Sequence, residues 1–312
     1  MLAEQELSQF TPTKDMLLTV GVFDGVHLGH QHLIARLREE ARRRGLLSGV
    51  ITFRQHPRDV LGLSDGLPYL TSPKEKRALL QDQGVNTVVM LTFDDDLANL
   101  DARTFVTLLK KHLRMKGLVV GKDFALGRGR EGSPEALRKM GEEGGFSVTV
   151  VPPLEVDGEV VSSTAIRNAL ADGDMDRVVK LTGRPFTVSG EIVPGTGLGR
   201  QLGLPTVNQD FDTNRALPAD GVYATVTHVN GRVHQSVTNI GHRPTFHGRK
   251  RTVETHLLDY SGDLYGRNLT VDVIERLRAE KKFQSAEELK KQIAHDIERG
   301  RQVLSARGKS ES

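Results

Sequence analysis

Cysteine is absent from the 312 residues. That excludes disulfide frameworks, thiolate zinc sites, iron–sulfur clusters and cysteine nucleophiles. No run of about 18 apolar residues occurs, so no membrane-spanning helix is expected. The opening MLAEQELSQF carries acids and lacks an apolar core, so no secretory leader is expected either. An excess of one charge is also missing. Lys and Arg number 43 against 40 Asp and Glu, a net charge of +3. The sequence pI of about 9.1 hides this near-balance, so no nucleic-acid partner is expected. The basic Arg42, Arg43 and Arg44 read as charge complementing a helix C-terminus. A cytoplasmic enzyme of small molecules fits these absences, and nothing in the sequence names a protein partner. The length suggests two domains, each able to bury its own core. Glycine is plentiful, 32 residues, and much of it is clustered.

Up to about residue 182, short apolar runs alternate with amphipathic stretches. Leu17–Phe23 and Leu46–Phe53 read as buried strands around a helix from Gly29 to Arg44. Ser72-Pro73 and Ser133-Pro134 start capped helices, and Asp101–Leu113 is another. Val85–Leu91, Gly117–Val120 and Phe146–Val151 continue the strands. Thr164–Ala171 and Asp174–Leu181 close this half as helices. The pattern predicts an α/β domain, a Rossmann-like parallel sheet covered by helices, over residues 1–182.

From residue 183 the period changes to two. Phe186–Val193, Gly221–Val229, Arg232–Ile240, Thr252–Tyr260 and Asn268–Leu277 read as strands. Asn230-Gly231 joins two of them as a hairpin turn. Residues 183–312 are therefore expected to form an antiparallel β-barrel. A terminal helix follows, with a capping box at Ser285 and Glu288 and an apolar stripe of Leu289, Ile293 and Ile297.

Two glycine-rich segments carry the chemistry. The first is Gly21-Val22-Phe23-Asp24-Gly25-Val26-His27-Leu28-Gly29-His30, between a strand and a helix. Glycines allow close approach of a nucleotide, and the helix N-terminus offers free N–H groups to a phosphate. His27 and His30, three residues apart, add donors to the same anion. A lone histidine there reads better as a cap; the pair within a strand–turn–helix favours phosphate binding. Ser162-Ser163-Thr164-Ala165-Ile166-Arg167 has the make-up of a second anion site: Ser163 or Thr164 as N-cap, its hydroxyl, and Arg167. A plain helix cap with a surface arginine explains the same residues.

The second segment runs from Gly190 to Asn208, with Gly195, Gly197, Gly199 and Arg200 in a loop whose amides can cradle phosphates. It lacks the ending of a P-loop. Beyond Pro205 the chain is extended, so Thr206 and Asn208 share a face, as hard oxygen donors suited to Mg²⁺ carrying ATP phosphates. A glycine-rich barrel turn with a polar edge fits equally well.

Here a resemblance enters. GVFDGVHLGH resembles the signature of prokaryotic bifunctional riboflavin kinase/FAD synthetases, and its HxGH element is similar to that of the wider nucleotidyltransferases. Phe53-Arg54-Gln55-His56-Pro57, Gly121-Lys122-Asp123-Phe124-Ala125-Leu126-Gly127 and the SSTAIR segment resemble three further motifs in the same order. Leu126 stands where phenylalanine is commoner. In the second half, GTGLGRQLGLPTVN resembles the riboflavin kinase signature, with Val207 where alanine is usual. Val253-Glu254-Thr255-His256-Leu257-Leu258-Asp259-Tyr260, Asn239–Phe246 and Arg278-x-Glu280-x-x-Phe283 resemble further segments, from about Leu17 to Leu304 in all.

The resemblance implies a nucleotidyltransferase domain followed by a riboflavin-kinase-like barrel, with two activities. ATP phosphorylates riboflavin to FMN, then adenylylates FMN to FAD with release of pyrophosphate. Gly21, Phe23, Gly25, His27, His30, Ser163, Thr164 and Arg167 would take ATP in the adenylyltransferase, with His27, His30 and Arg167 neutralising the transferring phosphates and Asp123 beside flavin or phosphate. Gly195, Gly197, Gly199, Arg200, Thr206 and Asn208 would take ATP in the kinase, Thr206 and Asn208 with Mg²⁺. Glu254 would be the catalytic base; a solvent-facing strand glutamate is the plainer reading of that residue alone.

Overall fold

A computed structural model describes residues 1–62, 67–194, 204–245, 248–262, 264 and 266–308, without the side chains of 243–250 and 308. The chain divides into two compact units, Met1–Ser163 and Thr164–Ser312.

The first unit is a five-stranded sheet of β1 (Met16–Val20), β2 (Leu47–Phe53), β3 (Thr87–Leu91), β4 (Met115–Gly121) and β5 (Ser147–Val151). The order is β3-β2-β1-β4-β5, and every pairing is parallel. Alternation along β1 serves both faces. Met16, Leu18 and Val20 join one core with residues of α1 (Leu2–Ser8), α6 (Ala102–Leu113) and α7 (Pro134–Gly144). Leu17 joins the other, against Ile34 and Leu37 of α2 (Leu28–Arg43) and Leu80 of α4 (Pro73–Asp82). Two one-turn helices, α3 (Pro57–Val60) and α5 (Asp95–Ala98), sit between. A small hairpin of β6 (Glu155–Val156) and β7 (Glu159–Val160) ends the unit.

The order reverses at β1. The chain builds outward on one side through β2 and β3, then returns to place β4 and β5 on the other. The carboxyl ends of β1 and β4 therefore flank a topological switch point, where open α/β sheets bind ligands.

The strand expected to reach Phe23 stops at Val20. Gly21 onward is loop, with Phe23 and Val26 in the left-handed region at φ of 51° and 38° and Gly25 at 81°. A branched valine there is strained.

Helices α8 (Ser163–Asp172) and α9 (Met175–Thr182) lead into the barrel. Apart from Ser163 they group with the second unit. The barrel is closed and wholly antiparallel. It contains β8 (Phe186–Val193), β9 (Val207–Asp210), β10 (Gly221–Val229), β11 (Arg232–Thr245), β12 (Gly248–Leu257) and β13 (Asn268–Ala279), in the order β10-β11-β12-β9-β8-β13. The β10–β11 turn is Asn230-Gly231, both at positive φ as a tight hairpin of this kind needs.

Inside the barrel lie Ile192, Leu257, Leu269 and Val271. Beside them is a chain of fully buried hydroxyls on Thr225, Thr227, Ser236, Thr238 and Thr255. Their oxygens are 2.6–3.0 Å apart, and Ser236 also donates to the Thr225 carbonyl at 3.1 Å. The outer face carries Val222, Ala224, Val237 and Leu277, which pack with Ile297 and Leu304 of the terminal helix α10 (Ala286–Gly308). Glu288 N donates to Ser285 Oγ at 3.1 Å, as the capping box expects.

Candidate active sites

At the switch point of the first unit, both glycine-bearing segments leave the sheet on the same edge. Gly21–His30 follows β1, and Gly121–Gly127 follows β4. His27 is the N-cap of α2, and its Nδ1 accepts from the His30 amide at 3.3 Å. An accepting Nδ1 carries no proton, so the remaining hydrogen of the neutral ring sits on Nε2. The two imidazoles stack with centroids 3.6 Å apart at 17°, and Phe23 meets His30 edge-on at 5.0 Å. Gly29 allows this: a Cβ there would come within 3.1 Å of both His27 Nδ1 and the Val161 carbonyl. Two donor rings are thus fixed at a helix N-terminus, a geometry that suits an anion.

Asp24 supports the loop from beneath. It is buried, and it accepts from the amides of Leu70 (3.0 and 3.1 Å) and Thr71 (3.2 Å). Gly25 N donates to Thr71 Oγ1 at 3.1 Å. Ser163 Oγ donates to the Asp24 carbonyl at 2.9 Å. This revises the expected cap, because α8 already begins at Ser163, whose hydroxyl donates to the loop. The cap position falls one residue earlier, at Ser162. Asp123 is exposed in the turn after β4, its carbonyl held by Arg130 at 3.1 Å.

Lys76 escaped the sequence reading. It stands one turn before Leu80 on the buried face of α4 and is only 4% exposed. Its Nζ donates to the Phe53 carbonyl at 2.6 Å and the Val22 carbonyl at 3.2 Å, tying the end of β2 to the loop that follows β1. A charge interrupting an apolar helix stripe was the available signal. Burial pushes its ammonium down to about 8, with Asp24 opposing. The folded chain then releases this proton before the unfolded chain does. Stability carried by Lys76 is lowest below pH 8 and recovers as pH rises from 8 toward 10.5. Between pH 7 and 9.5 the protein should gain about 2 kcal/mol relative to a Lys76→Met variant, by denaturant titration of both. A difference independent of pH would show that the ammonium is not desolvated.

In the barrel the decisive relation is register. Glu254 of β12 lies directly opposite Asn208 of β9 on one side and Asn239 of β11 on the other. Directly paired residues share a face with Cβ atoms ~4.5–5.5 Å apart. Val253, Thr255 and Leu257 are buried inward, so this row is on the outer face. Asn208 is 9% exposed and Glu254 partly exposed. Thr206 is two residues from Asn208, on the same side by alternation. The structure therefore brings Asn208 and Glu254 together and adds Asn239. Gly195, Gly197, Gly199 and Arg200 lie outside the described residues. Among the described residues no group of three His, Cys, Asp or Glu can hold a metal. Thr206 and Asn208 fit a magnesium ion whose other ligands are phosphates and water.

Comparison with known proteins adds to this geometry. The FAD synthetase family model matches residues 10–165, and the riboflavin kinase model matches 182–304. The bifunctional riboflavin kinase/FMN adenylyltransferase of Escherichia coli K12 is 42% identical, over 93% of this chain and 93% of that protein. The chain belongs to the bifunctional riboflavin kinase/FMN adenylyltransferase family.

A member of this family from Pseudomonas fluorescens is 41% identical over 92% of both chains. A crystal structure from Streptococcus pneumoniae, described as a macrolide-efflux protein, is 29% identical with a TM-score of 0.88. It covers 96% of this chain and 97% of its own. Among the described residues no helix is long and apolar enough to cross a membrane. The family's two models fall on the parallel sheet and on the barrel, in that order.

Proposed function

We propose that this chain makes FAD from riboflavin in two ATP-dependent steps at separate sites. Residues 1–182 act as the FMN adenylyltransferase and residues 183–312 as the riboflavin kinase. The cross-strand register that sets Glu254 opposite Asn208 is the observation that carries the kinase assignment.

In the kinase step, Glu254 takes the proton of riboflavin's terminal hydroxyl as that oxygen bonds to the γ-phosphorus of ATP. The bond from that phosphorus to ADP breaks. Asn208 and Thr206 hold Mg²⁺ with the ATP phosphates, and the glycine loop with Arg200 takes the nucleotide. The ion supplies charge neutralisation for the phosphates. Asn239, beside Glu254, offers an amide to the same face.

In the second step, a phosphate oxygen of FMN attacks the α-phosphorus of ATP and pyrophosphate leaves. No covalent enzyme intermediate is needed, because positioning and electrostatics suffice for such transfers. His27, His30 and Arg167 stabilise the phosphates. The loop amides with Gly21, Phe23 and Gly25 accommodate ATP, and Ser163 and Thr164 are assigned to the same nucleotide. Asp123 is at the flavin or phosphate end. A reducing cytoplasm is compatible with a chain that has no cysteine to oxidise.

Incubation of the full chain with riboflavin and Mg-ATP, followed by chromatography, should give FMN and then FAD. Asn208→Ala should raise the Mg²⁺ concentration needed for phosphorylation while sparing adenylylation of supplied FMN. Unchanged kinase kinetics across a magnesium titration would remove Asn208 from the site.

A further inference from the structure

The loop assigned above to the phosphates of ATP contains an acid. Asp24 stands three residues before His27 and is only 3% exposed. Its carboxylate fastens the loop to the chain leading into α4. Oδ1 accepts from the Leu70 amide at 3.0 Å, the Thr71 amide at 3.2 Å and Thr71 Oγ1 at 3.3 Å, and Gly25 N donates to Thr71 Oγ1 at 3.1 Å. These neutral donors satisfy the lone pairs of the carboxylate and leave its net charge in place. Charges interact strongly in a poorly polarisable interior, so such an acid opposes the arrival of a triphosphate on the same loop.

A buried cation is supplied by the segment that Asp24 fastens. The capping box of α4 pairs Ser72 with Glu75, at 2.8 and 3.2 Å, and Lys76 follows with its side chain turned inward. Its Nζ reaches the carbonyl of Val22, two residues before Asp24, and the carbonyl of Phe53. Thr52 Oγ1 donates to the same Val22 carbonyl at 2.9 Å, so a hydroxyl already serves that acceptor. What the ammonium adds is charge. Burial works against that charge and Asp24 works for it. A methionine would fill the same face of α4 without the desolvation cost. The pairing of two buried opposite charges under a phosphate loop therefore has electrostatic consequences that packing alone does not need.

We propose that Lys76 is a positioning residue of the adenylyltransferase: its ammonium holds the Val22 carbonyl and offsets the Asp24 carboxylate, so that a loop built around a buried acid still accepts the triphosphate of ATP. The proposal rests on the reading of Gly21–His30 as the loop for the ATP phosphates. Asp24 shapes that loop through Leu70 and Thr71, and Lys76 cancels the repulsion that this anchor would otherwise exert. Lys76 acts through the loop, so its loss falls on the affinity for ATP and spares the chemical step.

Four full-length variants test it: Lys76→Met, Lys76→Gln, Lys76→Met combined with Asp24→Asn, and His30→Ala. Phosphorylation of riboflavin serves as the folding control. Lys76→Met removes the cation and both of its bonds, whereas Lys76→Gln removes the cation and keeps a donor. Each should raise the ATP KM of FAD formation from FMN by about tenfold or more, as an uncompensated charge near a phosphate does. Their kcat should stay within threefold. The double variant removes both charges and should return the ATP KM to within threefold of the unaltered chain, a rescue that a purely structural lysine would not show. A normal ATP KM in Lys76→Met or Lys76→Gln, a loss confined to kcat, or a double variant worse than Lys76→Met would overturn the proposal. Undiminished FAD formation in His30→Ala would instead overturn the reading of the loop on which the proposal rests.

Discussion

Glu254→Gln should lower the kcat of riboflavin phosphorylation by about 10²–10⁴-fold, the usual range for a lost general base. Riboflavin and ATP binding should change little, and FAD should still form from supplied FMN. Glutamine keeps the size of the side chain and its place opposite Asn208 and Asn239. It removes the proton acceptor and little else. The outer-face position matters to this expectation. The side chain is partly exposed, so exchanging a charge for an amide neither relieves nor creates a large burial penalty. Steady-state kinetics with riboflavin as the varied substrate decide it. A glutamine variant with near-normal kcat would reduce Glu254 to an ordinary strand residue.

His30→Ala should abolish conversion of FMN to FAD and leave riboflavin phosphorylation in place. His30 is a cleaner target than His27. The capping bond uses the His30 amide and the His27 ring, so alanine at 30 removes an imidazole and keeps the cap. Alanine at 27 would also cost the helix about 0.5–2 kcal/mol. Arg167→Ala should reproduce the His30 phenotype. Both product ratios can be read in one chromatographic assay, with circular dichroism to show the fold intact. If both activities fell together in a folded variant, the assignment of separate sites would fail.

The alternation of short apolar runs with capped helices made the parallel sheet legible, because buried parallel strands and amphipathic helices have different periods. Asn230-Gly231 likewise announced its hairpin, since few other pairs accept two positive φ angles. The motif loops were legible as loops of glycine and histidine. Other features depended on partners distant in sequence. Nothing local tells that Phe23 leaves the strand yet stays buried. Period two showed that Glu254 and Thr255 face opposite ways but not which way is inward. The answer ran against simple polarity, because the interior accepts Thr255 within a hydroxyl chain. Asn239 acquires meaning only through register with β12. Lys76 needed the two carbonyls it joins.

That hydroxyl chain has a direction. Ser236 has one proton, and the Thr225 carbonyl accepts it. Ser236 must then accept from Thr225 and Thr227. Thr225, having given its proton away, accepts from Thr238, and Thr238 from Thr255. One backbone carbonyl thereby orients every rotor in the series, and each bond polarises the next in the same sense. Antiparallel strands cancel their own dipoles. The run Thr255–Thr238–Thr225 does not, because both its bonds point from β12 across β11 to β10, and the sense turns back only at Ser236, which takes protons from Thr225 and Thr227 of β10.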